Sequence, residues 1–236
     1  MAVGPAGSPA SPEPASPEPV APEFVYLGVT KRSRLLTLAD LDAVVRSLSA
    51  GSLAVLPTET GPMLAAMATS ESAVRAAFAA KGRDPGQVMH VACASLSMAR
   101  RYGHLDERAT ALLGAFTPGP LSVVVPQTGA LPDGLVTVDG TVGIRVPDNP
   151  ATLQVIGAVG VPLTATSVNL SGQPGTSIDA AALRALHWPP VDRVYVVVDD
   201  EAVAYSAPST LVRLTGPEPE ILRPGPVTAE MLREYW

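Results

Sequence analysis

Apolar and polar residues recur in two rhythms from Phe24 onward. Leu41, Val44, Val45 and Leu48 repeat at three- and four-residue spacing, the period of one helix face, and predict a helix over Leu38 to Ala50. Thr37 with Asp40 has the form of its N-terminal cap, and Gly51 ends it. "LAVLP" then reads as a short buried strand, ended by Pro57, which has no N–H to continue a ladder. Ala73, Val74, Ala77 and Phe78 mark the inner face of a second helix, which runs from a Ser70 cap to Lys81 or just beyond. A strand follows in "VMHVACA", two short helices in "SMARRYGHLDERATALLGAF", and β-rich runs in "LSVVVP" and "TVGIRVP". Asn149-Pro150 opens a helix, "PLTATS" is a strand, "SIDAAALRALH" a helix and "RVYVVVD" a strand. "STLVRL" and "EILRPG" form a final strand pair, and "TAEMLREYW" is a closing amphipathic helix. Helices and strands alternate, but hairpin-like pairs interrupt them. The pattern predicts an α/β fold of α+β character: a mixed, twisted sheet with helices packed on it, not a purely parallel one.

Composition divides the chain. Residues 1–23 are a low-complexity Pro/Ala/Ser/Glu tail without the apolar side chains that offset ordering entropy. Residues 24–236 read as one globular domain, and a hydrophobic content of 47 % supports a large core. No run of about 18 apolar residues suits a membrane span, and the N-terminus lacks the basic and apolar regions of a signal peptide. Cytoplasmic placement without membrane partners is the expectation. A net charge of −6 argues against non-specific nucleic-acid binding by the whole chain. The single cysteine, Cys93, excludes an internal disulfide. His90, His104 and His187 are scattered without metal-ligand spacing, so no protein-borne metal site is expected.

Five stretches carry candidate chemistry. "PTET", Pro57 to Thr60, puts two hydroxyls and a carboxylate at a strand end, where they cap a turn or orient a polar ligand. "KGR", Lys81 to Arg83, stands at a helix C-terminus, where cations suit the dipole or form an anion site. Arg145 sits in an apolar strand and needs a partner, either a structural carboxylate or a ligand's phosphate or carboxylate. In "LTATSVNLSGQPGT", Ser167, Asn169 and Ser171 follow a strand, and Gly172 permits close backbone approach; such a turn can hold phosphate oxygens. "LRPGP" adds Arg223 beside a rigid turn. The chain has no Walker loop, no G-x-G-x-x-G, no G-x-S-x-G elbow and no clear nucleophile–base pair.

Taken in order, "PTET", "KGR", "TPGPLSVVV", "TVGIRVP", "TSVNLSG", "STLV" and "ILRPGP" resemble the YrdC-like family, whose best-known members are threonylcarbamoyl-adenylate synthases. The resemblance covers Gly51 to Glu230. It implies a twisted open sheet flanked by helices around a concave, positively charged cavity. It also implies the joining of L-threonine, bicarbonate and ATP, with magnesium accompanying ATP. The products are threonylcarbamoyl-adenylate, which feeds t6A37 modification of tRNA, and pyrophosphate. By the same resemblance, Lys81 and Arg83 are the catalytic cations. Lys81, Arg83, Thr141, Ser167, Asn169 and Arg223 match nucleotide-binding positions, and Thr58, Arg145 and Ser209 match amino-acid positions. Arg145 would clamp the amino-acid carboxylate bidentately. Partners implied are tRNA or a tRNA-modification assembly.

The chain departs from the family around the amino-acid pocket. "GPML", Gly61 to Leu64, replaces V-Y-G-L, which removes an aromatic wall and its hydroxyl. Asp84 follows Arg83 in place of proline. A histidine of some members falls, counted without gaps, on Ala92. His90 lies two residues earlier, on the same strand face but about 6.6 Å away, and reads as a half-buried strand histidine ahead of a relocated substitute. Phosphate-side positions survive, so ATP binding is expected while the amine is left open. The alternatives are a paralogue acting on another amine and a non-catalytic RNA-binding module.

Overall fold

Helix starts are set by side-chain acceptors, because the first N–H groups of a helix have no partner within it. In the computed structural model, which describes residues 21–83, 89–134, 136–170 and 180–235, α1 (Leu38–Ser49) begins at Thr37, whose Oγ1 accepts from Asp40 N at 3.2 Å. The first half of the chain runs β1 (Glu23–Gly28), α1, β2 (Ala54–Leu56), β3 (Met63–Ala65), α2 (Glu71–Ala80), β4 (His90–Ala92), α3 (Leu96–Ala99), α4 (Glu107–Phe116) and β5 (Leu121–Pro126). The second half runs β6 (Thr137–Val138), β7 (Thr141–Arg145), α5 (Pro150–Val159), β8 (Leu163–Ser167), α6 (Ala180–Ala185), β9 (Arg193–Val198), β10 (Thr210–Arg213), β11 (Glu220–Arg223) and α7 (Ala229–Leu232). Ser70 caps α2, Asp106 caps α4 and Asn149 caps α5, each through a side-chain oxygen accepting a main-chain N–H.

Among the described residues the strands form one sheet in the order β1-β9-β2-β3-β8-β4-β7-β5-β10-β11, with β6 on β7. Parallel pairs (β1 with β9, β4 with β7) stand beside antiparallel ones (β2 with β3, β5 with β7), which is the mixed sheet that the interrupted alternation predicts. Three strands go beyond the sequence reading. β1 starts at Glu23, one residue inside the segment read as tail, and pairs along β9. Phe24 stacks edge-on against Trp188 at 5.4 Å between ring centroids. β3 and β6 are three and two residues long, too short to show a period. The rest of the tail reading, residues 1–20, and the start of "SIDAAALRALH" lie outside the described residues.

The helices turn their periodic faces inward. Val44 and Leu48 of α1, Val74 and Phe78 of α2, Leu112 and Leu113 of α4, and Val155 and Ile156 of α5 are buried. Each such large side chain contributes about 1.5–3 kcal/mol as an upper estimate.

Register decides what the other face presents. Met63 pairs with Ser167, His90 with Ala165, and Arg145 with Ser122. Cross-strand partners share a face, as do residues two apart on one strand. Met63, Ser167, Ala165, His90, Arg145 and Ser122 therefore lie on one side of five adjacent strands, a span of about 19 Å at the usual strand spacing.

Candidate active site

That face forms the floor of a cavity of about 420 Å³, within the range of small-ligand sites. One wall is the turn after β2, with Thr58, Thr60, Gly61 and Pro62. The wall opposite carries Ser206, Pro208, Ser209 and Arg223, and Arg83 enters from the end of α2. Six of the nine expected site residues thus line one hollow: Thr58, Arg83, Arg145, Ser167, Ser209 and Arg223. Lys81, Asn169 and Thr141 do not line it. Ser171, Gly172 and Asp84 lie outside the described residues.

Lys81 caps the C-terminus of α2 but does not serve the helix dipole. Its side chain is buried, and Nζ donates to the Ser167 carbonyl and to Asn169 Oδ1. Ser167 Oγ donates to the same Oδ1, and Asn169 Nδ2 donates to the Leu170 carbonyl at 3.0 Å. The turn after β8 is thus the lip of the cavity, with Ser167 facing in and Lys81 and Asn169 bracing it from behind. Burial, aided by repulsion from Arg83, lowers the Lys81 ammonium to a pKa of about 8. Thr141 opens β7, four residues before Arg145, and its hydroxyl donates to the Val138 carbonyl at 2.8 Å.

Arg145 already has a carboxylate within the chain. Its Nη2 donates to Glu59 Oε1 and its Nη1 to Thr60 Oγ1 at 3.2 Å. Glu59 is 1 % exposed, and its second oxygen accepts from Asp148 N at 2.9 Å. The partner left open by the sequence is therefore Glu59. The bidentate clamp that the resemblance implies would act through an Arg145 already held by Glu59 and Thr60. Arg145 Nε is buried and has no hydrogen-bond partner among the described residues. An unpaired buried donor costs about 1–3 kcal/mol.

Arg223 folds back on the neighbouring wall. Its Nε and Nη2 donate to the Ser209 carbonyl at 3.0 and 2.9 Å, and Nη2 also donates to Ser209 Oγ at 3.1 Å. Ser209 Oγ in turn meets Ser122 Oγ at 2.9 Å. This approach needs Gly225, where a Cβ would stand 2.5 Å from the Pro208 carbonyl and from Thr210 N. His90 lies against the Gly143 backbone, where a Cβ would come within 2.4 Å of its Cδ2. Burial first, then the fields of Arg223, Arg83 and Arg145, push its imidazole down to about 4, so it is neutral at neutral pH.

Sequence reasoning missed Ser122 and the carboxylate role of Glu59; His90 is the half-buried strand residue it expects, here on the cavity floor. Ser122 left a signal: a lone hydroxyl in the otherwise apolar "LSVVVP". The described lining contains no Asp or Glu. Among the described residues no three His, Cys, Asp or Glu side chains converge as a metal site, and no helix is long and apolar enough to cross a membrane.

Residues 46–225 match the Sua5/YciO/YrdC family model, described as telomere recombination. A Mycobacterium tuberculosis protein is 36 % identical over 193 residues, which cover 81 % of this chain and 87 % of that one. The Bacillus subtilis threonylcarbamoyl-AMP synthase is 32 % identical over 187 residues, covering 78 % of this chain and 53 % of its own. The crystal structure of Pyrococcus abyssi Sua5 complexed with L-threonine superposes with a TM-score of 0.79 at 27 % identity, over 89 % of this chain and 60 % of that one. The chain thus spans about half to three-fifths of the length of those two proteins. With a family model covering most of its length and this fold, the chain belongs to the Sua5/YciO/YrdC family.

Proposed function

We propose that this protein makes L-threonylcarbamoyl-adenylate from L-threonine, bicarbonate and ATP. The observation that carries the reading is the convergence of Arg83, Arg145 and Arg223 on one cavity whose described lining has no carboxylate. Such a site suits a polyanion held beside a carboxylated amine. The threonine amine and bicarbonate first give a carbamate and water. A carbamate oxygen then attacks the α-phosphorus; its P–O bond forms as the bond to pyrophosphate breaks, and the electron pair leaves with pyrophosphate. No protein nucleophile is needed, only fixed positive charge and donors where charge develops.

Arg83 and Arg223 take the phosphate side, with Ser167 at the lip. Lys81 supports the transfer by bracing that lip and adding charge behind it. Thr58, Ser209 and Arg145 face the amino acid. His90, neutral and on the cavity floor, offers it a hydrogen-bonding nitrogen. The donor set does not fit a resident divalent cation, which takes oxygen ligands, carboxylates above all. Magnesium enters as the counter-ion of ATP. The product would feed t6A37 modification of tRNA in the cytoplasm.

Purified protein with ATP, bicarbonate and L-threonine is expected to release pyrophosphate only when all three are present. Arg223→Ala should cut kcat/KM by about 10²–10³. No release with any amino acid would overturn the synthase reading. A second reading, another amine in place of threonine, is favoured by one feature: Gly61, Pro62 and Met63, which depart from the family pattern, line the cavity wall. A panel of amino acids ranked by kcat/KM separates the two.

A further inference from the structure

Glu59 is used by no step above, yet it is a buried charge with partners on several segments. Its carboxylate joins Arg145 Nη2 to the main-chain N–H of Asp148. Its carbonyl accepts from Ala204 N and Tyr205 N, each at 2.9 Å. The next residue, Thr60, accepts from Arg145 Nη1 at 3.2 Å. One residue therefore ties together the turn after β2, the end of β7 and the 204–206 segment that leads into the opposite wall. Three walls of the amino-acid end meet on it, while Arg83, Ser167 and Arg223 at the nucleotide end make no hydrogen bond to it.

We propose that Glu59 is a positioning residue for the amine-bearing substrate: with Thr60 it anchors the Arg145 guanidinium in place beside the cavity. This rests on the synthase reading for its kinetic form. The geometry alone gives the anchoring. Of Arg145's five donors, one on each terminal nitrogen is engaged by the turn, and Nε–H is left buried without an acceptor. Each terminal nitrogen keeps one further hydrogen, and these two are the donors left for a ligand carboxylate.

The test compares Glu59→Asp with Glu59→Gln. Aspartate keeps the charge but draws the guanidinium toward the turn by about one carbon–carbon bond. Expected for Glu59→Asp is a KM for L-threonine raised about tenfold or more, with the KM for ATP changed less than about twofold. Glu59→Gln should move the same parameter further. An unchanged threonine KM, or equal rises in both KM values, overturns the proposal, as does loss of the fold in both variants, which would make the residue purely structural. Crystal structures of wild type and Glu59→Asp supply a readout independent of turnover. A guanidinium displaced in the variant supports the positioning role, and one that superposes on wild type overturns it. If wild-type protein releases no pyrophosphate, the reaction fails while this structural comparison still decides the role of Glu59.

Discussion

Lys81 and His90 are the two buried bases whose titration the site should report. Lys81, held near 8 in the folded chain against an ordinary 10.5, carries one proton fewer than the unfolded chain between those values. Its contribution to stability therefore rises with pH across that window. Its charge behind the lip is lost over the same range, so kcat/KM for ATP should fall as pH climbs past about 8. A pH–rate profile checks this; Lys81→Arg should move the alkaline limb upward. His90 works in the opposite range. Its folded value of about 4 lies below the ordinary 6.5, so stability should decline as pH drops through that interval and level off below it. Gly143→Ala drives a methyl into the His90 ring. It should cost about 1–3 kcal/mol in urea denaturation, and His90→Ala in the same background should recover part of the loss. Single residues were only partly legible in the sequence. Arg145's need for a partner could be read from its apolar neighbours, but the partner stands 86 residues away in a turn whose carboxylate gave no sign of facing inward. His90 is the half-buried strand residue that its sequence context predicts, while its place on the cavity floor is set by pairing with Ala165 and contact with Gly143.

Secondary structure was legible wherever period and cap coincide. α1, α2 and α5 each combine an apolar face with a Thr, Ser or Asn at the start. β3 and β6 are too short to carry a rhythm, and the Pro-rich sequence before Glu23 masks the start of β1. The cap of α5 also fastens the sheet. Asn149 Oδ1 accepts from Thr152 N at 3.0 Å, and its Nδ2 donates to Asp199 Oδ2 at 2.8 Å. That carboxylate oxygen also accepts from Arg34 at 2.8 Å. Asn149→Ala removes the cap and one donor to a buried carboxylate together. A loss of about 2–3 kcal/mol is expected in urea denaturation, more than a surface cap alone would give.

Charge is distributed unevenly over the molecule. The net value is −6, and several exposed arginines are paired: Arg75 with Glu71 at 2.6 Å, Arg193 with Glu23 and Arg213 with Glu220 at 3.0 Å. Arg83, Arg145 and Arg223 gather in the hollow, where low-dielectric walls focus their field. This arrangement favours a small anion over a long RNA backbone. A tRNA titration should show weak affinity that collapses with salt, whereas ATP at about 100 times its Kd should add about 2.7 kcal/mol of stability. The ordered motifs could indicate a shared site, but their convergence depends on register across five strands, which no local pattern encodes. The direct test is a crystal structure with a non-hydrolysable ATP analogue and L-threonine. Phosphates against Arg83, Ser167 and Arg223, with the amino-acid carboxylate on the Arg145 guanidinium, are the expected result. Nucleotide bound outside this hollow, or a hollow left empty at saturating ligand, would contradict it.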